Sequence, residues 1–336
     1  MPTTKRIFVA LLFLCVWVMT KSAQAEDFYK EALLLGGYSD QDQWVGKSGS
    51  LKNSVGFEYY KKFSGESGDF LTLDLQLRFA YDSSENSEDA FGVEIHNAWL
   101  EYKLGLGKSI RVGHFDPAFG LEPVLDTHGT LLQTLAFKNI GFKKDWGVGY
   151  EGILGDFDYQ IVAGLGSGMG IRHKDDNFLL TGRISTPKTK ETRIGLSFLY
   201  GQNLASSQSW TIPAPDLVSD KSIRKKRIGI DFQRPLGIFD FKAEVAAGTD
   251  DDRTVAGGMA EIDYTVPQLQ KLKLKMQTVY FSGDWEKKNA RDLILSPVLE
   301  YKINSAMTVR LGYFHDFYSA HDEDKVILLQ FYYYGL

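Results

Sequence analysis

Cysteine is nearly absent from this 336-residue chain, Cys15 being the single one. It lies in the apolar run from Ile7 to Met19, behind Lys5 and Arg6 and ahead of Ala23-Gln24-Ala25. Charge, oily core and small residues in that order are the pattern of an export leader, cleaved here after Ala25. The reading is a signal peptide over residues 1–25 and a mature chain over 26–336 that carries no thiol. A chain without thiols forms no disulfide, uses no thiolate nucleophile and holds no metal through sulfur.

A basic excess is lacking as well. Lys and Arg number 38 against 43 Asp and Glu, a formal net charge of −5, and the leader removes Lys5, Arg6 and Lys21 but no acid. A nucleic-acid partner has no cationic surface to rest on. Beyond the leader no apolar run reaches the length of about 20 residues that a membrane helix needs. Proline is scarce, at 9 residues, so little interrupts the backbone ladders. What the chain has instead is 33 Gly, 22 Phe, 17 Tyr and 6 Trp, a composition suited to many strands joined by turns.

The strands announce themselves by period two. In "FLTLDLQLRFAYD" Leu71, Leu73, Leu75, Leu77, Phe79 and Tyr81 share one parity, while Thr72, Asp74, Gln76, Arg78 and Ala80 share the other. One face is oily and the other wet. "GDFDYQIVAGL" and "KLKLKMQTVYF" repeat the pattern, and weaker versions bring the total to about sixteen strands.

A soluble sandwich would alternate in the same way, so the connections carry the decision. Short links at 64–68, 104–108, 154–156, 186–190, 234–237 and 304–307 fall between strands that are separated on their other side by longer, more polar links at 39–53, 83–89, 201–222 and 319–324. Short turns on one rim and long loops on the other are the layout of an outer-membrane barrel. Within a bilayer a sheet must close so that no backbone group lacks a partner. The expected fold is all-β, a transmembrane antiparallel β-barrel of about 16 strands around a water-filled lumen, lodged in a bacterial outer membrane beside its lipid and lipopolysaccharide.

The third long connection, residues 116–144, departs from the polar rule. Its middle, "LLQTLAF" at 131–137, is too apolar to leave in water, so it is expected to fold into the barrel and narrow it, with a short helix over 127–136 capped by Thr127 or Asp126. Whether it constricts or plugs the lumen stays open. Around it lie Ala98, Trp99, Leu100 and Tyr102 in one strand, Val112, Gly113 and Phe115 in the next, then Phe119, Leu121 and Glu122, then Asp145, Gly147 and Val148. This stretch resembles the phosphate-selective porins O and P and their wider relatives. It departs from them where Ala118 replaces a proline and where the chain ends on Leu336 rather than an aromatic. The resemblance implies passive diffusion of small hydrophilic solutes, a preference for anions such as phosphate, insertion by the barrel-assembly machinery and a homotrimer.

Parity then nominates residues for the path. Asp74, Arg78, Arg183, Lys271, Lys273 and Lys275 are expected to line the pore, and Asp116, Glu122, Asp126, His128 and Lys138 to belong to the constriction loop. Lysines two apart form a ladder along which an anion exchanges partners; Asp158, Asp231, Glu244 and Glu300, turned inward by the same parity, oppose it. "GLGSGMG" at 164–170 lacks dinucleotide-binding spacing and reads as a flexible turn. The acidic stretch from His315 to Asp324 would hold a divalent ion only loosely, so no metal and no cofactor is assigned. Two other classes remain open: a non-conducting barrel acting as scaffold or adhesin, and a barrel-borne hydrolase, for which none of the six histidines has a Ser and Asp pattern beside it.

Overall fold

The computed structural model describes residues 26–40, 44–48, 51–66, 68–81, 91–105, 107–125, 129–138, 143–204, 222–287, 290–317 and 324–336. The leader segment, Asp126, Thr127 and His128 fall outside them. The described strands are β1 (Glu26–Ser39), the two-residue β2 (Trp44–Val45) and β3 (Lys47–Ser48), β4 (Leu51–Gly65), β5 (Gly68–Tyr81), β6 (Phe91–Gly105), β7 (Lys108–Phe115), β8 (Asp145–Leu154) and β9 (Phe157–Gly164). They continue with β10 (Phe178–Ser185), β11 (Arg193–Leu204), β12 (Ser222–Leu236), β13 (Phe239–Asp250), β14 (Arg253–Thr265), β15 (Leu272–Ser282), β16 (Arg291–Lys302), β17 (Met307–Asp316) and β18 (Asp324–Gly335). Setting aside β2 and β3, sixteen long strands form the wall, as the alternation predicts.

Each long strand pairs antiparallel with its neighbour in the chain. The last returns to the first, with Lys30 opposite Gly335 and Ser39 opposite Val326, so the sheet has no free edge between its ends. The outward parity carries Leu34, Val55, Phe79, Ile228, Ile230 and Val245, all more than half exposed. Such an outer face is a liability in water and a match for hydrocarbon. Aromatic pairs stand at both ends of this belt: Tyr81 with Phe91 and Phe178 with Tyr200 toward the long loops, Phe28 with Phe57 and Phe239 with Tyr264 toward the short turns.

The inward parity is polar, and its charges are paired across strands. Glu31 on β1 lies opposite Gly56 on β4, which lies opposite Arg78 on β5. Because Gly56 has no side chain, the Arg78 guanidinium crosses β4 and meets the Glu31 carboxylate at 2.5 Å. The device recurs on the far wall, where Arg183 on β10 reaches past Gly195 on β11 to Asp231 on β12, donating from Nε at 2.9 Å and Nη2 at 2.6 Å. Two parallel bonds fix the geometry as well as adding energy. A Cβ at Gly195 would lie within 2.5 Å of both partners.

Replacing Gly195 by Val should therefore part Arg183 from Asp231 and destabilise the barrel by about 3–5 kcal/mol, the cost of breaking a buried ion pair. The check is the temperature at which the folded barrel loses its compact gel mobility; an unchanged transition would contradict this account of the glycine.

Candidate functional site

The segment between β7 and β8 turns into the barrel and is fastened to its inner wall along most of the circumference. Phe115 closes β7 on the inward face, 1 % exposed, with its ring against the open position at Gly149. The Ala118 N–H then donates to the Thr181 hydroxyl on β10 (3.0 Å), and the Gly120 N–H to Ser197 on β11 (3.0 Å). Phe119 packs where Gly229 on β12 leaves room. The Leu121 N–H donates to the Glu244 carboxylate on β13 (3.3 Å). Gly120 has φ of +60°, and a Cβ there would strike Glu244, so the left-handed turn and the close approach both call for glycine.

Past residue 129 the loop reaches the opposite wall. The Gly129 carbonyl accepts from Arg310 on β17 (2.7 Å), and the Gln133 carbonyl from Gln277 on β15 (3.1 Å). Leu131 fills the space that Gly312 on β17 leaves. Lys138 pairs with Asp292 on β16 at 3.0 Å, and Lys144, at the loop's return, holds Asp116 at 2.7 Å and donates to Asn97 on β6 at 3.0 Å.

Two apolar clusters make these contacts more than polar tethers. Phe119, Leu121 and Leu135 pack with inward residues of β10, β11 and β13–β15, among them Leu179, Val255 and Phe281. Leu131 and Leu132 pack with Leu33, Leu51, Val298, Leu328 and Tyr332. The inner wall is oily where the loop lies on it, and burial of roughly 1.5–3 kcal/mol per large side chain holds the loop down. This is the inward fold expected from "LLQTLAF".

The expected helix over 127–136 is corrected: the described part of that stretch has one 3₁₀ turn, Leu135–Lys138, and residues 130–134 are not helical. The reason is competition from the wall, which takes the carbonyls of Gly129 and Gln133 that a helix would use internally, while Gly129 stands at φ +64°. The loop is also pinned on itself. Glu122 accepts from the Thr134 hydroxyl and lies 3.7 Å from the Lys143 amine, which donates to Gln133 at 3.0 Å. Burial pushes the Lys143 amine down to about 8, with the Glu122 carboxylate acting in the opposite sense.

The nominated wall residues fall into three groups. Arg78 and Arg183 stand inward and buried in the cross-glycine ion pairs described above, while Asp74, also buried, accepts from Asn97 at 3.0 Å. Lys273 and Lys275 stand inward on β15, and Lys275 bridges Asp263 (3.5 Å) and Glu300 (3.7 Å). Lys271 precedes β15 at the short-turn rim and donates to the Ile303 carbonyl at 2.9 Å. Of the loop residues, Asp116, Glu122 and Lys138 are placed as given above, and Asp126 and His128 lie outside the described residues.

Below the loop, toward the short turns, a cavity of about 450 Å³ is lined by Gln133 and Thr134 of the loop and by Lys273, Lys302 and Thr308 of the wall. Its charges alternate from strand to strand. Lys242 holds Glu261 (2.6 Å) and Asp263 (2.8 Å), Lys275 follows, then Glu300, then Arg310, whose Nε donates to Glu300 at 2.6 Å. Sequence reading missed Lys242, Glu261, Asp263 and Arg310, although the same parity marks them. A second cavity of about 360 Å³ lies against β7–β10 and includes Arg111, Arg183, Asp158 and the loop's Pro123. The "GLGSGMG" turn is not loose: the N–H groups of Gly166, Ser167 and Gly168 converge on the Asp145 carboxylate at 2.6–3.2 Å, so a carboxylate of the chain itself fills this backbone nest.

No protein-family model and no curated protein sequence matches the chain. Solved structures do. An anion-selective porin from Comamonas acidovorans superposes with a TM-score of 0.65 at 10% identity, over 93% of this chain and 100% of that one. A loop L8 deletion mutant of OmpT, an outer membrane protein of Vibrio cholerae, gives 0.65 at 12%, over 93% and 100%. The outer membrane channel DcaP of Acinetobacter baumannii gives 0.61 at 13%, over 94% and 99%. At such identities the likeness is one of fold, and it is the porin barrel fold.

Phe119→Ala should empty the site over Gly229 and loosen the loop by about 3 kcal/mol, which corresponds to roughly 100-fold faster hydrogen exchange at the amides of Gly120 and Leu121. Exchange at the wild-type rate would mean that the ring is not an anchor.

Proposed function

We propose that this chain is an outer-membrane porin through which small hydrophilic solutes diffuse passively, along a lumen narrowed by the loop at 116–144. The observation that carries the reading is the conjunction of a closed sixteen-strand wall, an apolar outer face and a polar inner face with a loop fastened within it. An edge-free sheet with that polarity satisfies its backbone in hydrocarbon and keeps water inside. The porin barrel fold of its structural neighbours supports the same reading. The OmpT of Vibrio cholerae is known in a trimer form, and a homotrimer is proposed for this chain too.

For selectivity we infer a modest preference for anions, in keeping with the resemblance to the phosphate-selective porins O and P. Most inward charges cancel in cross-strand pairs, so they give the path little net field. Lys273 and Lys302 line the cavity below the loop with no ion pair among the described residues, and they tip the lining of that cavity toward positive charge. An anion passing them trades some water for ammonium contacts that are too few to trap it.

A non-conducting scaffold is the second reading. It is favoured by one observation: the loop's contacts run from Thr181 on β10 round to Tyr332 on β18. A barrel with a sealed lumen would serve as a platform rather than a passage.

Purified protein in a planar bilayer should give stepwise currents, and the reversal potential in a KCl gradient should lie on the anion side. K273Q/K302Q should move it toward cations while the channel still opens. Silence at every applied voltage would favour the scaffold, and an unmoved reversal potential would remove these lysines from the conducting path.

A further inference from the structure

Strand β12 breaks the rule that the outer face follows. Along Ile228 and Ile230 its outward positions are apolar and about 60 % exposed. Toward the long-loop rim the same parity continues as Lys226 and Arg224, both exposed, while their inward neighbours Lys225 and Arg227 are buried. Lys226 stands opposite Tyr200 on β11 and Thr249 on β13. Elsewhere on this rim the wall ends in aromatics such as Tyr38, Tyr81 and Phe91.

Among the described residues neither outward cation has an ion pair. Asp251, in the turn after β13, accepts from the Arg224 backbone N–H at 3.0 Å. Two uncompensated cations two residues apart therefore stand directly above an oily stripe. The complementary molecule is an amphiphile with acyl chains below and phosphate above, because the stripe accepts chains and the pair accepts a phosphate through charge-assisted hydrogen bonds. Basic groups beside an apolar membrane face recognise anionic head groups in this way.

We propose that Arg224 and Lys226 form a docking site for the phosphorylated glucosamine head of lipopolysaccharide, with its acyl chains along Ile228 and Ile230. The long-loop rim is the end that faces the outer leaflet, where this lipid resides. The inference uses the outer-membrane reading to choose the leaflet, but its test does not depend on conduction.

The test is native mass spectrometry of the purified barrel in detergent micelles with bis-phosphorylated lipid A. Wild type should retain one lipid A, R224Q/K226Q should lose at least ten-fold of the bound fraction, and K108Q, on the opposite rim, should retain it. Both substitutions are exposed and conservative, and heat-dependent gel mobility verifies that each variant is closed. On the wild-type protein alone, lipid A stripped of both phosphates should fail to bind. Equal retention by R224Q/K226Q, or equal binding of the dephosphorylated lipid, would overturn the proposal.

Discussion

The pairing of β1 with β18 is the interaction on which everything else depends. An open sheet of this size would leave a row of unpaired N–H and C=O groups at each side, which is unaffordable in hydrocarbon and prone to association in water. Closing the ring from Lys30–Gly335 to Ser39–Val326 removes both edges. Closure then divides the side chains into those that face out and those that face a lumen, and sixteen strands enclose a lumen too wide for wall side chains to fill. Width is what makes room for a loop inside.

The loop and the wall are shaped to each other. Glycines at 149, 229 and 312 remove side chains where Phe115, Phe119 and Leu131 arrive, and the inner wall turns apolar at those heights. The wall's remaining charges are tied across strands, some through glycines that let an arginine reach two strands away. Together these contacts make the interior stiff: ion pairs set the wall, and the wall sets the loop. A loop held by both walls is stiffer than one hinged at one side would be.

Much of this was legible in the sequence because a β-strand has a period of exact parity that survives without tertiary context. Strand number follows from it, whereas the rim asymmetry follows from the lengths of the links and the inward fold from the apolar middle of the third one. The cross-glycine pairs were not legible, since Glu31 and Arg78 are 47 residues apart and only the register through Gly56 joins them. The same holds for Arg310 and Gly129, separated by 181 residues. The helix expected over 127–136 failed for a related reason, the wall's claim on the loop's carbonyls overriding local propensity. Lys271 shows a limit at strand ends, where parity persists in sequence after the wall has stopped.

The absence of cysteine from residues 26–336 allows the most direct test of a closed barrel with a loop on its inner wall. Single cysteines introduced one at a time along residues 228–233 in liposome-reconstituted protein can be reacted with a water-soluble maleimide. The account predicts that 233 is reactive from the lumen, that 228, 230 and 232 are shielded by lipid, that 231 is buried against Arg183, and that 229 is protected by the Phe119 ring and becomes reactive once that ring is removed. Labelling at 228, 230 or 232 as fast as at 233, or free labelling at 229 in the presence of Phe119, would contradict it.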